Sequence, residues 1–188
     1  TALQLVAMMV RTLMMQPVME GERDHNVKSV QYYLAIEESE KDEFENRFGV
    51  RLQNCYGATE SICWALTDLP CGPRRWPSVG RAGLGYEVEI LDEAGHPAAP
   101  GAVGEIAVKG IPGISLMKGY YRDPVKSAET FVTIAGTRYA LTGDAAKVAE
   151  DGSIIVFGRA AFAVLCAKNI EQKGFRCRKN SHKEISAR

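Results

Sequence analysis

A strand, a helix and a second strand follow one another between residues 27 and 53, and this unit constrains the fold more than any other stretch of the chain. Val30, Tyr32, Tyr33, Leu34 and Ile36 suit the pleated surface of a buried strand over 27–36. Ser39, with Asp42 three residues on, is a variant of the capping box that opens helices. Phe44 and Phe48 lie one helical turn apart, and Gly49 offers a left-handed stop. Val50, Arg51, Leu52 and Gln53 then read as a second strand. A helical crossover returns the chain to the end of the sheet from which it started, so the two strands are expected to pair in parallel. In open sheets of this kind ligands bind beyond the carboxyl ends of the strands.

Upstream, Leu3, Val6, Val10, Leu13 and Met14 recur at helical spacing, which predicts a helix ending at Gln16-Pro17. Met8, Met9 and Met15 are expected to fill core space on that helix. Beyond Pro70 the texture changes: glycine and proline become frequent and short strands replace helices. Strands are predicted over 86–91, 104–109, 145–149 and 153–157, with Asp92-Glu93-Ala94-Gly95 and Glu150-Asp151-Gly152 as turns. Asp123-Pro124 opens a short helix with proline at its first position. The fold class is therefore α/β: a partial βαβ layer over 1–77, then a β-rich, barrel-like subdomain over 78–159. Residues 160–188 are expected to pack over 160–167 and to be a loosely held basic tail from Lys168 onward.

Composition removes whole classes of function. Lysine plus arginine and aspartate plus glutamate both total 23 in the 188 residues, so no net charge draws the chain onto nucleic acid or anionic lipid. The five cysteines are odd in number and none forms a Cys-x-x-Cys pair; they are expected to be reduced thiols of a cytoplasmic protein. His25, His96 and His182 are too scattered to suggest a metal site. No apolar run reaches the roughly 18 residues of a membrane span. The start at Thr1, inside a periodic pattern, reads as a piece of something longer.

Two motifs carry candidate chemistry. In Asn54-Cys55-Tyr56-Gly57-Ala58-Thr59-Glu60-Ser61, at the end of the second strand, Gly57 permits a tight turn and Thr59 offers a hydroxyl to a phosphate oxygen. Glu60 offers a hard carboxylate to Mg2+, and Tyr56 an aromatic face for a base. The plainer alternative is a strand-to-helix turn with Thr59 as cap. In Thr142-Gly143-Asp144, followed by Arg159, an aspartate can accept hydrogen bonds from a ribose diol and an arginine can bind the same diol or a phosphate. The plainer alternative there is a surface ion pair.

In this order the motifs resemble those of the adenylate-forming acyl- and aryl-CoA synthetases, the AMP-binding superfamily. Ser78-Val79-Gly80-Arg81, the stretch 101–106 and Met117-Lys118-Gly119-Tyr120-Tyr121 stand where that family's motifs stand. The stretch 9–14, Tyr33-Leu34-Ala35 and Arg74-Arg75-Trp76-Pro77 resemble the crotonobetaine/carnitine-CoA ligases in particular. The bulky residues 32–35 replace a Gly-rich segment that in most of the family passes close to adenine.

The resemblance implies ATP/AMP and Mg2+ as cofactors, coenzyme A as co-substrate and a small carboxylic acid as partner. It places nucleotide binding on Tyr56, Gly57, Ala58, Thr59, Asp144 and Arg159, catalysis on Thr59 and Glu60, and the metal on Glu60. The family's phosphate-gripping loop and its C-terminal lid are not recognised in the chain, and Ala161 stands where the hinge is normally Asp or Lys, so the resemblance implies that 160–188 are a diverged or truncated hinge with a basic tail. Two readings stay open here: part of an acid-CoA ligase, or an inactive remnant that retains partial nucleotide binding.

Overall fold

The computed structural model describes residues 2–33 and 35–159. The expectations for 160–188 lie outside these residues. A first sheet runs in the order β1 (Ala2–Val6), β2 (Ser29–Tyr33), β3 (Leu52–Gly57), β4 (Trp64–Thr67) and β5 (Arg81–Ala82). The pairings β1–β2 and β2–β3 are parallel, whereas β3–β4 and β4–β5 are antiparallel. Helices α1 (Ala7–Met14) and α2 (Glu38–Phe48) make the crossovers, so the strand–helix–strand unit forms as its pattern predicts.

Two expectations for the first fifteen residues fail. Residues 2–6 are a strand, not the first turn of a helix. Their backbone pairs with β2 from Ala2 opposite Ser29 to Val6 opposite Tyr33, and this sheet pairing overrides the local helical period. The methionines do not fill the core: Met8, Met9 and Met15 are 72%, 49% and 83% exposed, and Ala7 and Val10 carry the buried side of α1. The cap of α2 also differs, beginning two residues earlier than Ser39. Glu40 Oε2 accepts the Glu37 amide at 2.7 Å, and the same carboxylate receives Arg11 from α1 at 2.6 and 2.9 Å. One side chain thus caps α2 and ties it to α1. Leu5, Val10, Val30, Tyr32, Phe44 and Leu52 pack together where these helices cover the sheet.

The second sheet is antiparallel, in the order β10 (Ile154–Gly158), β9 (Thr137–Val148), β7 (Val103–Lys109) and β6 (Glu87–Leu91), with β8 (Phe131–Ile134) also on β9. A short helix, α3 (Pro124–Thr130), leads into β8. The sheet is open rather than barrel-like. Strand β9 has partners on both edges, but β6 and β10 do not pair with each other to close the ring.

The two sheets share one core. Ala65 and Leu66 of β4 are fully buried against Ile106, Val108, Leu116 and Ala140. Backbone bonds at the seam, Val79 N to Ile154 O at 2.9 Å and Ile154 N to Gly80 O at 2.8 Å, fix the sheets side by side.

Arg47 at the end of α2 secures the segment that returns from α1. Its guanidinium binds both oxygens of Glu22 at 2.8 and 2.6 Å and the carbonyls of Met14, Gln16 and Pro17 at 3.0–3.2 Å. The hydrogen bond from Arg47 holds the Glu22 carboxyl down from 4.5 to about 2, and the bond from Arg11 does the same to Glu40. Because both folded values lie below the unfolded ones, the stabilisation is full above about pH 5 and is lost as pH falls towards 2. The melting temperature is expected to drop across that window, and Glu22→Gln combined with Glu40→Gln to flatten the drop, as followed by circular dichroism at a series of pH values.

Candidate active site

The first half of the site grows out of β3. Strand and turn come so close at Gly57 that a Cβ there would stand 2.6 Å from the Cys63 carbonyl oxygen and 2.9 Å from Trp64 Cα. A single 3-10 turn, Thr59–Ser61, follows. Ser61 is buried and ties the turn to itself. Its Oγ accepts the Ala58 amide at 3.2 Å and lies 2.9 and 2.8 Å from the carbonyl oxygens of Ala58 and Cys63. Tyr86 donates its hydroxyl to the Ser61 carbonyl at 2.5 Å. The turn leaves through Ile62 at φ +66°, a backbone conformation that strains a β-branched residue and is often retained at functional sites.

Thr59 is exposed as the first residue of this turn; the cap position is Ala58, whose amide is held by Ser61 and not by Thr59. Thr59 is therefore not the helix cap that the plainer alternative required. Glu60 is half-buried and held from the other sheet: its carbonyl accepts the Met117 amide at 2.9 Å and its Oε1 accepts the Tyr120 hydroxyl.

The second half lies on β9. Opposite β7, Leu141 pairs with Ala107 and Ala145 with Glu105, so Thr142, Gly143 and Asp144 together face Ile106 alone. This bulge breaks the pleat and re-aims the side chains that follow it. Gly143 occupies its left-handed position at φ +75° and donates its amide to Glu105 Oε1 at 2.8 Å. The Thr142 hydroxyl donates to the Ile106 carbonyl at 3.0 Å and accepts the Asp144 amide at 3.2 Å. On its other edge β9 is covered by β8 up to Ala140 and by β10 from Ala145, which leaves 141–144 between them.

Asp144 joins the halves. Its Oδ2 accepts the Tyr56 hydroxyl at 2.6 Å, and Arg159 Nε lies 3.4 Å from its Oδ1. The Asp144 side chain is 16% exposed and that of Arg159 73%, so the ion pair joins a largely buried carboxylate to a guanidinium open to solvent. Burial, and then the bond to Asp144, push the Tyr56 phenol far above its ordinary range, and it stays a donor at any physiological pH.

Tyr56, Asp144 and Arg159, 103 residues apart at the extremes, thus meet at one point, and Glu60 meets Tyr120 nearby on the same seam. Gly57 and Ala58 contribute backbone. Sequence reasoning did not assign roles to Glu105 and Tyr120. Both lie inside motifs it recorded, at 101–106 and 117–121, but the partners they bind are 38 and 60 residues away. Among the described residues no three His, Cys, Asp or Glu side chains gather as a metal site. A lone carboxylate at Glu60 fits a Mg2+ that brings most of its ligands as phosphate oxygens and water.

The bulk of residues 32 and 33 is divided between two faces. Tyr32 is 1% exposed beneath the helices, and its hydroxyl finds no partner among the described residues. Tyr33 is half-exposed on the other face.

The description "AMP-binding enzyme" matches residues 1–121. The chain belongs to the AMP-binding enzyme family. It is 43% identical over 152 residues to the crotonobetaine/carnitine–CoA ligase of Salmonella heidelberg (strain SL476), covering 81% of this chain and 29% of that relative. A benzoate CoA ligase from Burkholderia xenovorans LB400 superposes with a TM-score of 0.73 at 25% identity, over 86% of this chain and 32% of its own. Apo MatB from Rhodopseudomonas palustris superposes with a TM-score of 0.72 at 25% identity, over 85% and 30%. The chain therefore spans about three-tenths of the family members it matches. No helix among the described residues is long and apolar enough to cross a membrane.

Gly57→Ala tests the close approach that shapes the turn. A methyl group 2.6 Å from a backbone oxygen must push β3 and β4 apart, and overpacking of this kind costs about 1–3 kcal/mol. Chemical denaturation is expected to show that loss, accompanied by weaker AMP binding.

Proposed function

We propose that this chain is the part of an ATP-dependent acid–CoA ligase that holds the adenosine end of the nucleotide and the entrance to its phosphates. In the reaction of the whole enzyme, a carboxylate oxygen bonds to the α-phosphorus of ATP and pyrophosphate leaves, giving an acyl-adenylate. The sulfur of coenzyme A then bonds to the acyl carbon, AMP leaves, and the thiol proton passes to solvent. Positioning and charge neutralisation around phosphate carry most of such catalysis.

The observation that supports this most is Asp144. It is largely buried, yet it carries a carboxylate set by a tyrosine from one side and an arginine from the other. An ionised carboxylate has about four acceptor sites, so these two contacts leave capacity for a ribose diol. In this reading Arg159 supports the same ribose, the face of Tyr56 lies along adenine, and Thr59 donates to a phosphate oxygen beside the Gly57-Ala58 backbone. Glu60 would hold a Mg2+, which when bound would neutralise phosphate charge. The acid is read as carnitine-like or another small carboxylic acid. Its support is the 43% identity to ligases named for crotonobetaine and carnitine.

Titration of the 188-residue chain with AMP is expected to show binding. Asp144→Ala should weaken it roughly 10- to 100-fold, the usual worth of hydrogen bonds to a charged group. Equal affinity in a folded Asp144→Ala variant would remove the ribose assignment. Grafted into a crotonobetaine/carnitine–CoA ligase in place of the matching segment, the chain should support thioester formation from carnitine-like acids. A folded chimera that binds AMP and makes no adenylate would favour the inactive-remnant reading.

A further inference from the structure

We propose that Tyr120 is a positioning residue for Glu60: the loop between β7 and α3 reaches across from the second sheet and sets the carboxylate that the first sheet presents. This rests on the reading of Glu60 as the carboxylate that faces a nucleotide-bound Mg2+.

The argument begins with the turn that carries Glu60. Its own hydrogen bonds, through Ser61 and Ala58, fix the backbone and do nothing for the Glu60 side chain. A glutamate has three rotatable bonds and loses considerable rotamer freedom when it is ordered. The ordering here comes from elsewhere. The Met117 amide holds the Glu60 carbonyl at 2.9 Å, and three residues on the Tyr120 hydroxyl donates to Glu60 Oε1. Two contacts from one short stretch of loop, one to backbone and one to side chain, fix both ends of the residue. With Oε1 engaged, Oε2 is the oxygen left to face a cation.

Tyr120 is held in turn. Its amide donates to Ser127 Oγ at 2.8 Å, and the Ser127 hydroxyl donates to the Asp123 carbonyl at 2.7 Å. Asp123 Oδ1 caps α3 by accepting the Lys126 amide at 2.8 Å. The Asp123-Pro124 start signal and the Gly119-Tyr120 motif thereby become one device. The helix cap anchors Ser127, Ser127 anchors the tyrosine backbone, and the tyrosine ring is a rigid arm ending on Glu60. A donor on a ligating carboxylate fixes its orientation, and losing such partners typically lowers metal affinity or activity about 10- to 100-fold. Tyr121, the next residue, is 85% exposed and provides the matched control.

The test compares Tyr120→Phe, Tyr121→Phe and Glu60→Gln in the 188-residue chain. In the ligand-free protein, side-chain carbon couplings of Glu60 should report one rotamer in the parent and in Tyr121→Phe, and averaging in Tyr120→Phe. Unchanged couplings in Tyr120→Phe overturn the proposal, whatever the metal does. Nucleotide binding is then measured with AMP alone and with ATP plus Mn2+ as a paramagnetic probe. Tyr120→Phe should leave AMP affinity as in the parent and weaken Mn2+-dependent ATP binding about tenfold. An equal loss in both, or in neither, overturns the positioning role. Should Glu60→Gln leave Mn2+ dependence intact, the metal reading of Glu60 fails by itself, and the couplings still decide whether Tyr120 orders that side chain.

Discussion

The hydrogen bond between Tyr56 and Asp144 is the contact on which the candidate site depends. Its two ends come from different sheets, and each is set by a local irregularity: a strand that turns at Gly57, and a strand that bulges at Gly143. Each also serves its own sheet: the turn at Gly57 leads β3 into β4, and Gly143 bonds to Glu105 of β7. Together they bring a phenol and a carboxylate to 2.6 Å across the seam. The shared core of Ala65, Leu66, Ile106 and Val108 makes this possible, because tightly packed apolar layers keep the sheets from sliding and so keep the distance constant.

Much of this was legible in the residues themselves. The parallel strand–helix–strand unit, the Asp123-Pro124 helix and the hairpin at 150–152 follow from local chemistry, and all three form. The failures lie where pairing between distant strands decides the structure. Residues 2–6 carry a helical period, but their backbone groups are claimed by β2, and a pairing with residues 27 positions away leaves no local mark. Strand β4 is marked locally only by the short apolar run Ala65-Leu66, and what makes it a strand is its pairing with β3 and β5. The barrel-like expectation for the second sheet fails because an open sheet and a closed one share strand count and turn spacing and differ only in whether the edge strands pair.

The site divides along the same line. Tyr56, Thr59, Glu60, Asp144 and Arg159 stand out as residue types suited to a nucleotide, and their proximity could be expected only because one ligand would have to touch them all. The residues that hold them do not stand out. Glu105 is one more acidic residue in a strand, and Tyr120 one of two adjacent tyrosines. Only the fold separates the tyrosine that reaches Glu60 from the one that faces solvent.

Strand β9 carries a consequence for how this part of the family can change over generations. Its register is set at three places, by β8 near one end, by β10 near the other and by β7 along most of its length, with the bulge between. One residue inserted or deleted between Thr137 and Val148 would swing Asp144 to the opposite face. The turns at 92–95 and 149–152 close short hairpins on the surface and can lengthen without moving it. Length variation among relatives should therefore collect in those turns and be nearly absent from the twelve residues of β9.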